Sequence, residues 1–227
     1  MPREIQIQLT STRVPVWDAG VRIVHWALVL LIPAAWWTIE NHQLGRHKLI
    51  GYTIAGLLIF RLLWGLFGSP SARFATFVRG PRTVLAYLRG QGAEAPPGHT
   101  PLGALSVVAI LALLIGHVST GLFAVDTDGL ESGPFAHFVS FDQGRWAARA
   151  HGVTFNLIVA MTALHVGAIL FYALRGRPLV GAMLRGWRSW GDPAAAARFA
   201  PWWRGVMLAV LSAVLVWGAL RLWGQDV

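Results

Sequence analysis

Ala150-His151-Gly152-Val153-Thr154-Phe155-Asn156-Leu157-Ile158-Val159-Ala160-Met161-Thr162-Ala163-Leu164-His165 is an apolar run bracketed by two histidines. Read as a helix rising about 1.5 Å per residue, it sets those imidazoles roughly 21 Å apart. Fourteen steps of about 100° fall only about 40° short of four turns, so both rings share one face. Such a helix offers histidine at two depths of a bilayer. Its chemistry depends on what other helices present at the same depths.

The surrounding chain supplies those helices. Of its 227 residues 55% are hydrophobic and only 13% charged, too apolar a balance for a water-soluble domain. A bilayer is the expected solvent, and helices, which satisfy their own backbone groups, are the expected spanning elements. Windows near Val21–Thr38, Leu49–Phe67, Leu102–Ala124, Val153–Leu174 and Val206–Leu222 approach the roughly 20 apolar residues that a crossing needs. The fold class expected is an all-α transmembrane helical bundle, with a four-helix core plus a fifth C-terminal span. Cysteine is absent, which excludes disulfides, thiolate metal sites and thioether-attached haem. Metal chemistry would have to run through the eight histidines.

The net charge of +9 comes from 19 basic residues, all but one of them arginine, against 10 acids. The arginines sit between apolar stretches, so anionic lipid headgroups are the expected partners and nucleic acid is not. Arg3, Arg13 and Arg22 precede or open the first span, Arg73, Arg79, Arg82 and Arg89 follow the second, and Arg175, Arg177, Arg185, Arg188 and Arg198 follow the fourth. The third loop instead carries Asp126, Asp128, Glu131 and Asp142 against Arg145 and Arg149. The positive-inside rule then sets the N-terminus in the cytoplasm and, after five spans, the C-terminus in the periplasm. The first residues lack an apolar core, so the first span is expected to serve as an uncleaved targeting signal.

The expected organisation is a cytoplasmic segment over 1–20, a core over 21–174, a basic cytoplasmic segment over 175–205, and an additional span with a short periplasmic tail over 206–227. Between the second and third spans, Phe74–Val78 and Val84–Arg89 have apolar spacing for short interfacial helices interrupted by Pro81. Thr100-Pro101 reads as an N-cap followed by proline at the first helical position.

Five histidines, His25, His47, His117, His151 and His165, fall in or at the mouths of these helices. Ionisable side chains there are costly and usually face the bundle interior for a purpose; a neutral imidazole bonded to a neighbouring helix is the plainer alternative for each. Depth pairs His25 with His165 on the inner side and His47 with His151 on the outer side. Two neutral imidazoles from different helices at one level are what six-coordinate b-type haem requires. His117, also near the outer level, is the alternative outer ligand.

Arg61 follows His47 by fourteen residues, the spacing that separates His151 from His165. Two readings remain open for it: a partner for an inner haem propionate, or a side chain that snorkels to the interface. Gly51, Gly116 and Gly121 offer bare backbone beside a flat macrocycle, although small residues in membrane helices also simply permit close packing. His42, His99 and His137 fall in loops, where a solvated surface histidine is the default, and His99, next to the third span, is the candidate among them to touch a propionate or a quinone.

Val16-Trp17-Asp18, Val21-Arg22-Ile23-Val24-His25-Trp26, His47-Lys48-Leu49-Ile50-Gly51-Tyr52, Phe60-Arg61-Leu62-Leu63-Trp64-Gly65, Gly98-His99-Thr100-Pro101-Leu102-Gly103, Thr120-Gly121-Leu122-Phe123-Ala124 and the His151/His165 pair, taken as an ordered set, resemble the prokaryotic cytochrome b561 family, which includes the cytochrome b subunits of nickel-iron hydrogenases. The resemblance implies two haem b groups in a four-helix core, held by His25, His47, His151 and His165. It also implies electron transfer between the quinone pool and a periplasmic redox partner, such as a c-type cytochrome or a dehydrogenase or hydrogenase subunit. His117 lies outside that motif, and the fifth span departs from the plain four-helix pattern. The rival expectations are a self-contained superoxide:quinone oxidoreductase and, from another class, a non-redox membrane anchor or small transporter. Oligomeric state has no signature in the sequence.

Overall fold

The computed structural model describes residues 12–91, 98–128, 131–190 and 196–224. Helix α1 spans Ala19–Glu40, α2 Leu44–Phe67, α5 Pro101–Phe123, α6 Phe141–Leu174 and α8 Trp202–Trp223. These five are long and apolar enough to cross a membrane, as expected from a chain that must satisfy its backbone groups internally. The short helices α3 (Phe74–Phe77), α4 (Pro81–Leu88) and α7 (Val180–Arg185) lie in the connections. The chain is an all-α transmembrane bundle and a multi-pass membrane protein.

Local chemistry explains the helix starts. Asp18 caps α1 by accepting from the Val21 N–H at 2.8 Å, and Thr100 caps α5 by accepting from the Gly103 N–H at 3.1 Å, with Pro101 in the first turn. Helix α4 opens on Pro81, so the proline expected to interrupt this region begins a helix. Helix α6 begins twelve residues before the window expected from hydropathy. Ser140 and Gln143 form a reciprocal capping box, and the polar turn Asp142–Arg145 is simply the exposed start of one long helix.

Helix α5 packs along α6, α1 along α2, and α8 on α2, while a lighter α2–α5 contact joins the two pairs. Near mid-bundle, Ile54 and Leu58 of α2, Leu111 and Leu114 of α5 and Ile158 of α6 form a buried apolar cluster. Ile158 lies seven residues from both His151 and His165. An apolar layer therefore separates the two histidine levels.

A two-stranded antiparallel ribbon was not legible from hydropathy. Strand β1 (Thr12–Pro15) pairs with β2 (Trp187–Trp190), with Thr12 opposite Trp190 and Pro15 opposite Trp187. The turn before β2 depends on Gly186, at φ 86°, a conformation that glycine adopts without a Cβ penalty. Its carbonyl accepts from the Val16 N–H at 2.8 Å and the Trp17 N–H at 3.1 Å. Within the stretch expected as a basic segment over 175–205, residues 186–190 are thus tied to the chain before α1. Arg13 and Arg185 each place a guanidinium over the Trp187 ring, at 4.5 Å and 4.8 Å. We call this end of the bundle the ribbon end, and the end bearing residues 124–128 and 131–140 the loop end.

A second cluster anchors the ribbon end. The Trp64 indole N–H reaches both carboxylate oxygens of Asp18, at 3.1 and 3.0 Å. Asp18 is only 4% exposed, and a buried carboxylate holds its place when hydrogen-bonded in this way. The bond ties the start of α1 to the end of α2, and Val21, Val24, Phe60 and Ala72 fill the space around them.

Candidate haem site

At the loop end, His47 from α2 and His151 from α6 face one another with ring centroids 6.1 Å apart and planes at 83°. His47 Nδ1 lies 2.9 Å from the Ala35 carbonyl, and His151 Nδ1 lies 2.8 Å from the His117 carbonyl. A carbonyl oxygen only accepts, so each Nδ1 carries the proton and each Nε2 keeps its lone pair. Backbone acceptors of this kind fix the tautomer and ring orientation of metal-binding histidines.

The geometry fits one iron between two imidazoles. Metal–nitrogen bonds of about 2 Å on opposite faces of a metal ion hold the ring centroids about 6 Å apart. Gly121 contributes the room: a Cβ there would meet His151 Cε1 at 2.8 Å and Nδ1 at 3.0 Å. Gly51 and Gly116 have nothing within 4 Å of the corresponding position, so both leave open space.

His117 occupies this level too, but in another way. Its ring stacks on that of His151 at 3.7 Å, with planes 14° apart. Stacked side by side, these two rings do not oppose each other across one metal ion. Among the described residues, no group of three or more His, Cys, Asp or Glu is arranged to hold a metal ion. Haem asks less than such a cluster, since the macrocycle supplies the remaining ligands.

At the ribbon end, His25 of α1 and His165 of α6 lie within electrostatic reach of one another. His25 stands edge-on to Trp26 at 5.0 Å, and the Trp26 indole donates to the Met183 carbonyl at 3.3 Å. His25 Nδ1 and Arg22 Nε are both buried and have no hydrogen-bond partner. They lie one turn apart on α1 and therefore on one face. A buried donor without an acceptor is costly, and a carboxylate-bearing group beside His25 would relieve it. On sequence alone Arg22 is given no role at the site; its spacing of three from His25 is the signal that points to one.

Arg61 is 5% exposed and does not snorkel. Its Nη1 donates to the Ala72 carbonyl at 3.4 Å, and its guanidinium sits 4.9 Å from the centre of the Phe74 ring. The side chain bends onto the connection after α2. His99 lies nearby, edge-on to Trp17 at 4.5 Å and stacked on Phe77 at 4.1 Å. It belongs to the aromatic packing that closes the ribbon end. His42 and His137 remain in connections: His42 adopts φ 53° in the turn between α1 and α2, and His137 lies in the 3₁₀ turn Ala136–Phe138.

Burial and, second, the charge of Arg61 lower the His99 pKa to about 4. The unfolded chain, with His99 near its ordinary value of about 6.5, therefore takes up a proton that the folded chain refuses between these two pH values. Stability contributed by neutral His99 is complete above pH 6.5 and is lost as pH falls towards 4. The total is roughly 3 kcal/mol from the size of the shift. Thermal melting in detergent across that window checks the sign: the wild type is expected to lose stability on acidification relative to His99→Phe. Parallel curves would refute it.

Five spans define a polytopic membrane protein, and its bundle brings histidines of separate helices close together. The chain belongs to the prokaryotic cytochrome b561 family, whose model matches residues 16–186, about three quarters of its length. No curated protein matches it significantly. Membership makes it a membrane b-type cytochrome of electron transfer, in a family that binds haem b.

Proposed function

We propose that this chain carries electrons across the bacterial inner membrane through two haem b groups, one held by His25 and His165 and the other by His47 and His151. The observation that carries the reading is the His47–His151 pair, 6.1 Å apart, with both Nδ1 atoms committed to backbone carbonyls. Bound haem supplies one-electron chemistry at its iron. The protein's own part is positional. His151 and His165 stand roughly 21 Å apart on one rigid helix, which sets the spacing of the two levels. Ile158 and the cluster around it keep water from the space between them, and the Nδ1–H bonds to carbonyls make the loop-end imidazoles more basic ligands. At the ribbon end, Arg22 and Arg61 are the cations available to haem propionates.

In this reading the ribbon end faces the cytoplasm and the loop end the periplasm, consistent with the arginine-rich connections at one end and the acids of the third loop at the other. Electrons pass between the quinone pool and a periplasmic partner such as a c-type cytochrome or a dehydrogenase or hydrogenase subunit. Asp126, Asp128, Glu131 and Asp142 form an acidic lip suited to a basic partner. The test uses the purified chain in liposomes with added quinol and external ferric cytochrome c. Reduction that depends on the protein and weakens with salt is expected, and replacing the four acids by Asn or Gln should slow it at low salt and flatten the salt dependence. A protein without a reducible b-type spectrum would sink the reading; unchanged kinetics in the neutralised variant would sink the acidic lip alone.

A further inference from the structure

The loop-end level contains a third imidazole for which a two-ligand site has no use. His117 Nδ1 lies 3.1 Å from the His151 carbonyl and 3.0 Å from Thr154 Oγ1. In return, His151 Nδ1 lies 2.8 Å from the His117 carbonyl. Each histidine thus donates to the other's backbone, while the two rings lie face to face at 3.7 Å. Thr154 closes the arrangement: its hydroxyl, which donates back to Ala150 and His151 carbonyls at 2.8 and 3.0 Å, is left to accept from His117.

This reciprocal clasp restrains two things separately. The His117 carbonyl fixes which nitrogen of His151 keeps its lone pair. The His117 ring fixes the rotation of the His151 plane, because an imidazole stacked on a neighbour at van der Waals distance cannot turn about its own axis without breaking the stack. With His151 so held, its plane stands at 83° to that of His47. One turn along α5 from His117, Gly121 leaves no room for a Cβ beside the His151 ring.

We propose that His117 is a positioning residue that sets the plane of the His151 imidazole and thereby holds the axial ligands of the outer haem perpendicular. The proposal rests on the assignment of His47 and His151 as ligands to that haem. It gives a role to a histidine that the family motif leaves out. Near-perpendicular imidazoles give low-spin ferric haem a single strongly anisotropic, large-g resonance, whereas parallel planes give an ordinary rhombic spectrum. Packing over His151 also keeps water from the ligand. Opening that space stabilises the more highly charged ferric state and lowers the midpoint potential.

The experiment is electron paramagnetic resonance and redox titration of the full-length, haem-loaded protein in detergent, with His117→Ala and His117→Phe. In His117→Ala both haems are expected to remain, with the signal of one moving from the large-g form towards rhombic and its midpoint falling. His117→Phe, which keeps a stacked ring but not the Nδ1 bond, should restore the large-g form. Unchanged signal and midpoint in His117→Ala would overturn the proposal. So would loss of the outer haem from both variants while His47→Ala retains it, since His117 would then be the ligand. Failure of the underlying assignment has a separate signature: His151→Ala would keep both haems.

Discussion

Replacing His151 with alanine is expected to halve the haem content, from the proposed two per chain to one, with the remaining haem reducible. Among the histidines of α6, only His151 stands at the level of His47, so with these two as ligands an iron there keeps one of them. The deletion also leaves the His117 carbonyl without its 2.8 Å donor, which further loosens the loop end. His47→Ala should remove the same haem, and His25→Ala and His165→Ala the other. Pyridine haemochrome analysis against protein concentration measures all four. Loss of both haems from each variant would instead mean that the two levels fold as one unit. Retention of both would reject the ligand assignment.

The second large effect is expected at Gly121. A methyl group there would meet His151 Cε1 and Nδ1 at 2.8 and 3.0 Å, closer than non-bonded atoms ordinarily approach. The imidazole can turn away only by giving up its Nδ1 bond to the His117 carbonyl or its stack on the His117 ring. Something must yield, and the ring orientation is softer than either backbone. Gly121→Ala should therefore weaken the outer haem by on the order of 10–100-fold, the usual scale for disturbing the groups that orient a metal ligand. Gly121→Val should abolish its binding. Haem content after dilution or competition with apomyoglobin reads this directly, with the inner haem as internal control. Gly51→Ala is the contrasting substitution: nothing lies within 4 Å of a Cβ there, and little change is expected.

These expectations draw on different layers of information. The five spans were legible because twenty consecutive apolar residues announce a crossing whatever surrounds them. The Thr100-Pro101 start of α5 was legible because capping is local chemistry. The first three turns of α6 were not, since a hydropathy window discards a polar helix start even when Ser140 and Gln143 cap it. The pairing of β1 with β2 joins segments about 170 residues apart in the chain, and nothing in either strand alone names its partner.

The histidine spacing shows the same division at the site. Sequence alone determined that His151 and His165 share a face at two depths, and that Arg61 repeats the interval from His47, because helical periodicity is a property of the backbone. It could not decide between a snorkelling and a buried Arg61, or see the buried nitrogens of Arg22 and His25. Nor could it choose between His47 and His117 as the ring facing His151 across a gap. Those depend on how α2 and α5 each sit against α6, and only tertiary packing sets that. Apolar pattern specifies which residues enter the bundle; interlocking side chains and bare glycines determine which of them meet.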